Sequence, residues 1–288
     1  MTIPELFSRE KPVFSFEFFQ PKSPPEMSRF LATVRDLKRL SPDFVTVTYG
    51  AGGSVGERAK AVETAGLIRS ELGLQTAAHL TCLTHTRREI LDVIERISAQ
   101  GIENIVALRG DRPADASGLQ PRDFEHAVDL VRLIRRRKGF RIGVAGYPEK
   151  HPEATSLQAD IIHLKEKVDA GADWVITQLF FKNADYFDFV RRARAIGISV
   201  PIVPGIMPVT SFSQIRRFTT LCGASLPESM VAELEPIASD PDAVSRYGVE
   251  YATKQCRELL ERGAPGVHFY TLNRSHATAT ILSRLREG

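Results

Sequence analysis

The chain repeats one unit, a short β-rich apolar run followed by a longer amphipathic stretch. Successive runs start about 30 residues apart, which is the length of one strand–helix unit. An open doubly wound sheet usually has fewer strands and a clearer nucleotide fingerprint, so the repeat favours a closed α/β barrel. The eight runs cover residues 13–19, 43–49, 76–82, 104–110, 141–147, 174–180, 201–207 and 266–272.

The segments between the runs have the spacing of amphipathic helices. Residues 25–40 place apolar side chains three and four positions apart, 124–137 sets an apolar stripe opposite arginines, and 161–170 ends before a glycine suited to a C-cap. The last gap is about twice as long as the others, so extra helices are predicted between residues 211 and 262. No linker interrupts the pattern. A single (β/α)8 TIM barrel over residues 1–288, with extra helices before the last strand, is therefore predicted.

Composition excludes several classes of protein. With 43% hydrophobic and 25% charged residues, the chain is typical of folded proteins rather than disordered ones. A net charge of +3 is too even to predict a nucleic-acid partner. No apolar run is long enough for a membrane span, and the N-terminus lacks the apolar core of a signal peptide. Three widely spaced cysteines indicate a reducing compartment, so a cytoplasmic protein is expected.

Glu17 is the strongest candidate for a catalytic residue. In such a barrel the active site lies at the C-terminal ends of the strands. It stands between Phe16 and Phe18, where burying an unpartnered carboxylate is costly. Burial raises the pKa of a carboxyl group, which is how a glutamate becomes a general acid near neutral pH. The alternative is a structural glutamate paired with an interior arginine or lysine.

The end of the fourth run and a histidine in the third are weaker candidates. Arg109, Gly110 and Asp111 combine a glycine that permits close backbone approach with charges suited to a phosphate or a polar ring. An ordinary turn with a surface ion pair is the alternative. His79 has apolar neighbours, as hydrogen-bonded core histidines do. HExxH is absent, and no second histidine has metal-ligand spacing, so no metal site is predicted.

A glycine-rich segment at residues 50–56, GAGGSVG, has the context of a dinucleotide fingerprint. Val55 stands where that motif requires glycine, so the segment is interpreted as a flexible loop facing a ligand. The basic cluster at residues 132–138 is interpreted as a solvated helix face near a C-terminus.

Eight short motifs occur in order, each at the end of a predicted strand. Their residues resemble those of the bacterial 5,10-methylenetetrahydrofolate reductase family over nearly the whole chain. The match stops with the catalytic barrel, as in the short bacterial form that lacks the regulatory domain of eukaryotic relatives. The motifs are SFEFF (15–19), VTYGA (47–51), HLTC (79–82), ALRGD (107–111), YPE and HPEA (147–154), ITQ (176–178), PGIMP (204–208) and HFYTLNR (268–274).

The resemblance implies a cytoplasmic homo-oligomeric flavoprotein that binds FAD non-covalently. NADH or NADPH would reduce the flavin and depart, and methylenetetrahydrofolate would then take the hydride, in a ping-pong sequence. The product, 5-methyltetrahydrofolate, serves one-carbon metabolism and methionine synthesis. The cofactor would carry the electron chemistry, and the protein would supply position and protonation.

The resemblance also assigns roles to residues. Glu17 matches the general acid that helps to open the imidazolidine ring, and Asp111 matches an aspartate beside the flavin and the pterin. Gln178, Gln214 and Arg274 match folate-contacting positions, and Phe218 and Tyr270 match aromatic residues beside the substrate. The positions that match flavin contacts are Thr48, Ala51, His79, Leu108, Arg109, Gly110, Tyr147, His151, Ala154, Asp160 and Lys167, with His163 at a further flavin position.

Three residues depart from the family pattern. Gln20 replaces a usual proline beside Glu17, His163 replaces an asparagine, and Glu166 replaces an arginine near the cofactor phosphates. Exchanging a cation for an anion predicts weaker FAD binding. Two alternatives stay open: a flavin-free reductase with direct hydride transfer from the nicotinamide, and a folate-binding barrel without catalysis. The presence of both Glu17 and Asp111 argues against the second.

Overall fold

The computed structural model describes residues 2–21, 23–49, 55–111 and 123–287. Within these ranges all strand pairs are parallel and belong to one sheet, in the order β7-β6-β5-β4-β3-β2-β1-β9-β8. The strands are β1 Val13–Phe18, β2 Phe44–Val47, β3 Thr76–Thr81, β4 Asn104–Leu108, β5 Arg141–Gly146, β6 Trp174–Thr177, β7 Ile202–Val203, β8 Gly205–Ile206 and β9 Gly266–Tyr270.

The seventh predicted run forms two short strands, β7 and β8, separated by Pro204. Proline has no N–H to donate to a sheet, so the ladder is interrupted there. The Pro204 carbonyl still accepts the N–H of His268 at 2.9 Å. Because β7 pairs with β6 and β8 pairs with β9, this one run joins both ends of the strand order. The predicted eight-run barrel is confirmed.

Helices follow the strands in the alternation that the sequence predicts. The extra helices before the last strand are confirmed, and the third predicted helix begins at Leu157, where the Ser156 hydroxyl accepts the N–H of Ala159 as an N-cap. No helix in the described ranges is long and apolar enough to cross a membrane. The helices are α1 Ile3–Leu6, α2 Pro24–Lys38, α3 Val55–Leu72, α4 Arg87–Ala99, α5 Ala127–Arg136, α6 Leu157–Asp169, α7 Asn183–Ala195, α8 Phe212–Cys222, α9 Glu228–Leu234, α10 Pro241–Glu261 and α11 His276–Arg286, with a 3₁₀ turn at Glu235–Ile237.

The short helix α1 covers the N-terminal end of the barrel. Ile3 and Leu6 pack in one apolar cluster with residues near the starts of the strands, including Val13, Phe44 and Trp174. That end of the barrel is therefore filled with apolar side chains. Buried polar side chains such as Glu17, His79 and Thr177 lie further along their strands, towards the C-terminal ends.

Candidate active site

Glu17 lies inside the barrel among polar side chains from three neighbouring strands. Only 7% of the residue is exposed. Its Oε2 atom is 3.4 Å from the Thr46 hydroxyl of β2, which donates to it, and 3.4 Å from the Nε2 atoms of both His79 of β3 and His268 of β9. The partners of this buried carboxylate are thus two imidazoles and a hydroxyl, not the arginine or lysine of the structural alternative.

These neighbours reverse the pKa shift that the sequence suggests for Glu17. Burial raises the pKa, but the charge of His79 and the hydrogen bond with His268 outweigh burial, so the pKa of Glu17 lies below its ordinary value. Burial also lowers the pKa of His79, an effect that the Glu17 carboxylate opposes. The protonation of Glu17 is therefore controlled by the surrounding side chains and not by an apolar pocket around a single carboxyl group.

His268 connects Glu17 to a serine on the same strand. Its Nδ1 atom is 2.8 Å from the Ser15 hydroxyl, and its ring is fully buried and stacked on Phe44. Ser15 and Glu17 are two positions apart on β1, so both side chains point to the same face. The register pairs Ser15 with His268 and Glu17 with Tyr270. Ser15 and His268 were not predicted as site residues, although the alternation in SFEFF and HFY places them on the inward face.

The loops after β4 and β5 carry the predicted cofactor side. Arg109 makes a two-point ion pair with Glu153, with distances of 2.6 and 2.8 Å. Gly110 adopts a φ of +86°, which favours glycine, and Asp111 is exposed beside it. Asp111 lies close enough to Tyr147 to contribute to the rise in the pKa of that phenol, of which burial is the largest cause.

His151 is held in one orientation by its neighbours in the loop after β5. Its backbone N–H donates to Asp160 at 2.9 Å, and its Nδ1 atom accepts the N–H of Glu153 at 3.1 Å. Neutral His151 therefore carries its proton on Nε2. The ring meets Tyr147 edge-on, with centroids 4.7 Å apart. Burial lowers the pKa of His151, and Arg109 lowers it further.

Helix α6 contributes a half-buried lysine and two exposed residues. The Lys167 ammonium donates to the Ala145 carbonyl of β5 at 2.7 Å, and burial lowers its pKa to about 8 although Asp160 opposes the shift. His163 and Glu166, the two departures on this helix, are both exposed. At the position where the family pattern has an arginine, this chain thus has the solvated carboxylate of Glu166, on the same helix as Lys167.

The residues predicted to contact folate gather around β6, α8 and β9. The Tyr270 hydroxyl donates to the Thr177 carbonyl of β6 at 2.6 Å. Tyr270 and Phe218 belong to the same apolar cluster, which is centred on buried residues after β6 and β8. Gln178 follows β6, Gln214 is one turn before Phe218 on α8, and Arg274 is exposed after β9.

Three further predicted cofactor residues are half-buried at strand ends or in loops. Thr48 follows β2 and donates its backbone N–H to Phe18, Leu108 ends β4, and Ala154 donates its N–H to the His151 carbonyl. Ala51 and the rest of the loop at residues 50–54 lie outside the described residues. In the part of the chain that the structure describes, no three His, Cys, Asp or Glu side chains are arranged to hold a metal ion.

Comparison with known proteins decides the family. Residues 2–286 match the family model described as methylenetetrahydrofolate reductase. The chain belongs to that family. It is 39% identical to the 5,10-methylenetetrahydrofolate reductase of Pectobacterium carotovorum, covering 94% of this chain and 89% of that protein. It is also 39% identical to methylenetetrahydrofolate reductase (NADH) 1 of Arabidopsis thaliana, over 94% of this chain. The chain spans about half the length of the nematode and plant relatives, 43% to 50%.

Solved structures agree with the barrel fold of this family member. A Clostridium thermocellum protein described as binding two copies of 5-methyl-5,6,7,8-tetrahydrofolic acid superposes with a TM-score of 0.68, at 15% identity, over 100% of this chain and 98% of that one. Dihydropteroate synthase of Xanthomonas albilineans in complex with 7,8-dihydropteroate gives 0.52 at 16% identity, over 96% and 93%. At such identities the likeness concerns the fold alone.

Proposed function

We propose that this protein reduces 5,10-methylenetetrahydrofolate to 5-methyltetrahydrofolate with NADH or NADPH as the hydride donor. The observation that carries the proposal is the buried Glu17 with Thr46, His79 and His268 around one carboxylate oxygen. Family membership supplies the reaction class, since relatives bear the names methylenetetrahydrofolate reductase (NADH) and (NADPH). The Clostridium protein, which is described as binding the reaction product, supports a folate in such a barrel.

The reaction needs one proton and one hydride. Protonation of folate N10 breaks the bond between N10 and the bridging methylene carbon, and N5 then holds that carbon as an iminium. Hydride addition to the iminium carbon gives the N5-methyl product. Glu17 is the proposed proton donor, because it is the buried carboxyl group on the inward face of β1 and has proton-bearing groups within reach.

The histidines set the protonation of Glu17. When the Ser15 hydroxyl donates to His268 Nδ1, neutral His268 carries a proton on Nε2, directed at Glu17 Oε2. This N–H, 3.4 Å away, stabilises the carboxylate that remains once Glu17 has given up its proton. The protonation of Glu17 is also coupled to that of His79, whose charge is the largest of the causes that lower the pKa of Glu17.

The described residues fit FAD as the cofactor. The Nε2–H of His151, the guanidinium of Arg109 and the half-buried ammonium of Lys167 form a donor set suited to a dinucleotide pyrophosphate, and Tyr147 offers an aromatic surface. FAD, when bound, supplies the hydride transfer between nicotinamide and folate. The exposed Glu166 beside Lys167 supports weaker FAD binding than an arginine at that position would give.

Folate is proposed to lie against the aromatic cluster. Tyr270 and Phe218 supply ring surfaces, and Gln178 and Gln214 supply amides near them. Arg274, which is exposed after β9, is suited to a substrate carboxylate. A homo-oligomer and a cytoplasmic location stay proposals that rest on the family resemblance.

The Glu17→Gln variant tests the proton donor. The amide keeps the size of the side chain but cannot supply an acid proton, so folate reduction should fall by about 10²- to 10⁴-fold. Oxidation of NAD(P)H by an artificial quinone, which needs no folate proton, should stay within about twofold. Glu95→Gln makes the same change on the outer face of α4, where Glu95 pairs with Arg137, and should leave both activities unchanged. Unchanged folate turnover in Glu17→Gln would refute the acid role.

A visible absorption spectrum of the purified protein tests the cofactor. Flavin absorbance that bleaches with NADH or NADPH without oxygen, and returns with methylenetetrahydrofolate, is expected; the faster donor identifies the preferred nicotinamide. Titration of the apoprotein with FAD, followed by flavin fluorescence, measures the proposed weak binding, and Glu166→Arg should tighten it. A colourless protein that ignores added FAD but still reduces folate would establish the flavin-free alternative. A protein that binds folate without reducing it would support the other alternative, a folate-binding barrel without catalysis.

A further inference from the structure

The loop after β9 is fastened to the end of β1 by side chains in addition to the backbone bond from the Thr271 N–H to the Glu17 carbonyl. The parallel register between the two strands ends at Glu17 and Tyr270. One residue further on, the Thr271 hydroxyl donates to the Glu17 carbonyl at 2.7 Å. The Asn273 amide then pairs with the backbone of Phe19 at both ends: Oδ1 accepts the Phe19 N–H and Nδ2 donates to the Phe19 carbonyl, each at 2.8 Å.

The backbone at this point adopts a conformation that most residues avoid. Leu272 and Asn273 have φ values of +50° and +56°, in the left-handed region. Asparagine enters this region more easily than most side chains, because its short amide can bond locally. The reversal is supported by the Asn273 N–H, which donates to the Thr271 hydroxyl at 3.2 Å. Glycine would adopt this backbone with less strain, but it could not reach Phe19.

We propose that Asn273 is a positioning residue for the acid chemistry. Its amide fixes the backbone of Phe19, two residues after Glu17, and Thr271 fixes the Glu17 carbonyl itself. Together they keep the carboxylate of Glu17 in reach of its histidines. Asn273 also directly precedes Arg274 and follows the strand of Tyr270, so it couples the proton donor to two residues proposed to contact folate.

This inference rests on the proposed function of Glu17, yet it predicts a specific pattern of damage. A residue that merely closes the barrel would weaken every activity and the fold together. A positioning residue for the acid should impair the step that needs the proton and spare the step that does not. The two roles therefore separate when folate reduction and NAD(P)H oxidation by a quinone are measured on the same variant.

Two variants at position 273 isolate the amide. Asn273→Gly retains the left-handed backbone and removes both bonds to Phe19, whereas Asn273→Asp keeps the acceptor for the N–H and loses the donor to the carbonyl. We expect kcat for folate reduction to fall by about 10- to 100-fold in the glycine variant and by less in the aspartate variant. Quinone-dependent NAD(P)H oxidation should change by less than about threefold, because it does not depend on the acid.

Lys138→Gly is the matched control. Lys138 also has a left-handed φ, +53°, but it is exposed in the turn before β5, at the opposite end of the barrel. The control therefore relieves backbone strain without touching the site, and both activities should equal those of the unaltered protein. Thr271→Val, which removes the hydroxyl bonded to the Glu17 carbonyl, should repeat the pattern of Asn273→Gly in milder form.

A second measurement needs no turnover. The Glu17 carboxylate raises the pKa of His79, so moving Glu17 away should lower the pKa of that imidazole in an NMR titration of Asn273→Gly. An unchanged His79 titration together with wild-type folate turnover would overturn the inference. Parallel loss of both activities with thermal stability would also overturn it, leaving Asn273 a structural role only. If the unaltered protein does not reduce folate, the proposed function fails, while the His79 titration still decides whether Asn273 positions Glu17.

Discussion

Gly205 leaves room for the Tyr270 ring, and the Gly205→Ala variant tests how much the site depends on that room. A Cβ added at Gly205 would lie 2.7 Å from Cε2 and 2.8 Å from the hydroxyl oxygen of Tyr270, and it would also press on the Thr177 carbonyl. The Tyr270 hydroxyl donates to that same carbonyl at 2.6 Å. Alanine therefore cannot be accommodated unless the backbone at the Thr177 carbonyl and the Tyr270 ring both move, which breaks the hydrogen bond between them.

The expected cost follows from two contributions. Losing the hydrogen bond from Tyr270 to Thr177 costs about 0.5–1.5 kcal/mol of unfolding free energy. Forcing a methyl group into a filled space costs about 1–3 kcal/mol more. Gly205→Ala should thus lose about 2–4 kcal/mol in denaturant unfolding monitored by circular dichroism. Folate reduction should fall as well, because a displaced Tyr270 no longer presents its ring to the substrate.

Tyr270→Phe supplies the control, because it removes the hydroxyl and keeps the ring. It should lose only about 1 kcal/mol. Since the hydroxyl oxygen is one of the atoms that an alanine at 205 would strike, the double variant should be more stable than the two single losses predict, by about 0.5 kcal/mol or more. Strictly additive losses, or a loss below about 0.5 kcal/mol in Gly205→Ala alone, would show that the ring does not need this space.

Two further predictions concern titration and thiol chemistry. The pKa values of Glu17 and His79 both lie below their ordinary values of 4.5 and 6.5, so the unfolded chain binds more protons and stability should fall as the pH drops below about 6.5. In denaturant unfolding at several pH values, His79→Asn should lose less stability between pH 7 and pH 5.5, and an unchanged slope would contradict the argument. Burial raises the pKa of Cys82 to about 12, whereas Cys222 is half-buried. A thiol reagent at pH 8 should therefore modify Cys222 first in peptide mapping, and equal labelling of Cys82 would contradict the burial argument.

The barrel could be predicted from the sequence because each strand–helix unit carries its own hydrophobic pattern. A strand run of about seven residues and a helix of about twelve can be recognised from local pattern alone. The division of the seventh run at Pro204 was not predicted, although the residue is plain in the sequence. Its effect depends on two different neighbours, β6 on one side and β9 on the other, and neither is local in sequence.

The residues of the candidate site were predicted individually. The contacts between them were not predicted. Glu17 was found because a carboxylate interrupts an aromatic run, but Phe16 and Phe18 point to the opposite face from it. The side chains that surround its carboxylate come from β2, β3 and β9. Which residues meet across strands depends on the stagger of the strands around the barrel, a property of the closed sheet rather than of any one segment. For this reason the downward pKa shift of Glu17 could not be predicted from the residues next to it in the sequence.

The order of strands around the barrel separates the proposed tasks. The neighbouring strands β3, β2, β1 and β9 surround the carboxylate of Glu17, and the loops after β4 and β5 with α6 carry the donor set proposed for the cofactor. The aromatic cluster proposed for folate lies between β6 and β9. Strand β9 serves two of these regions, since His268 faces Glu17 and Tyr270 reaches across to β6.

Because β9 contributes to both regions, its register must be maintained up to its last residues. A shift of the strand by one residue would exchange the inward and outward faces, removing His268 from Glu17 and Tyr270 from Thr177 at once. The side-chain bonds of Thr271 and Asn273 to β1 oppose such a shift, because they extend the connection between the strands beyond the point where pairing stops. The proton donor and the substrate-facing ring are thus held in a fixed relation by one strand and the loop that follows it.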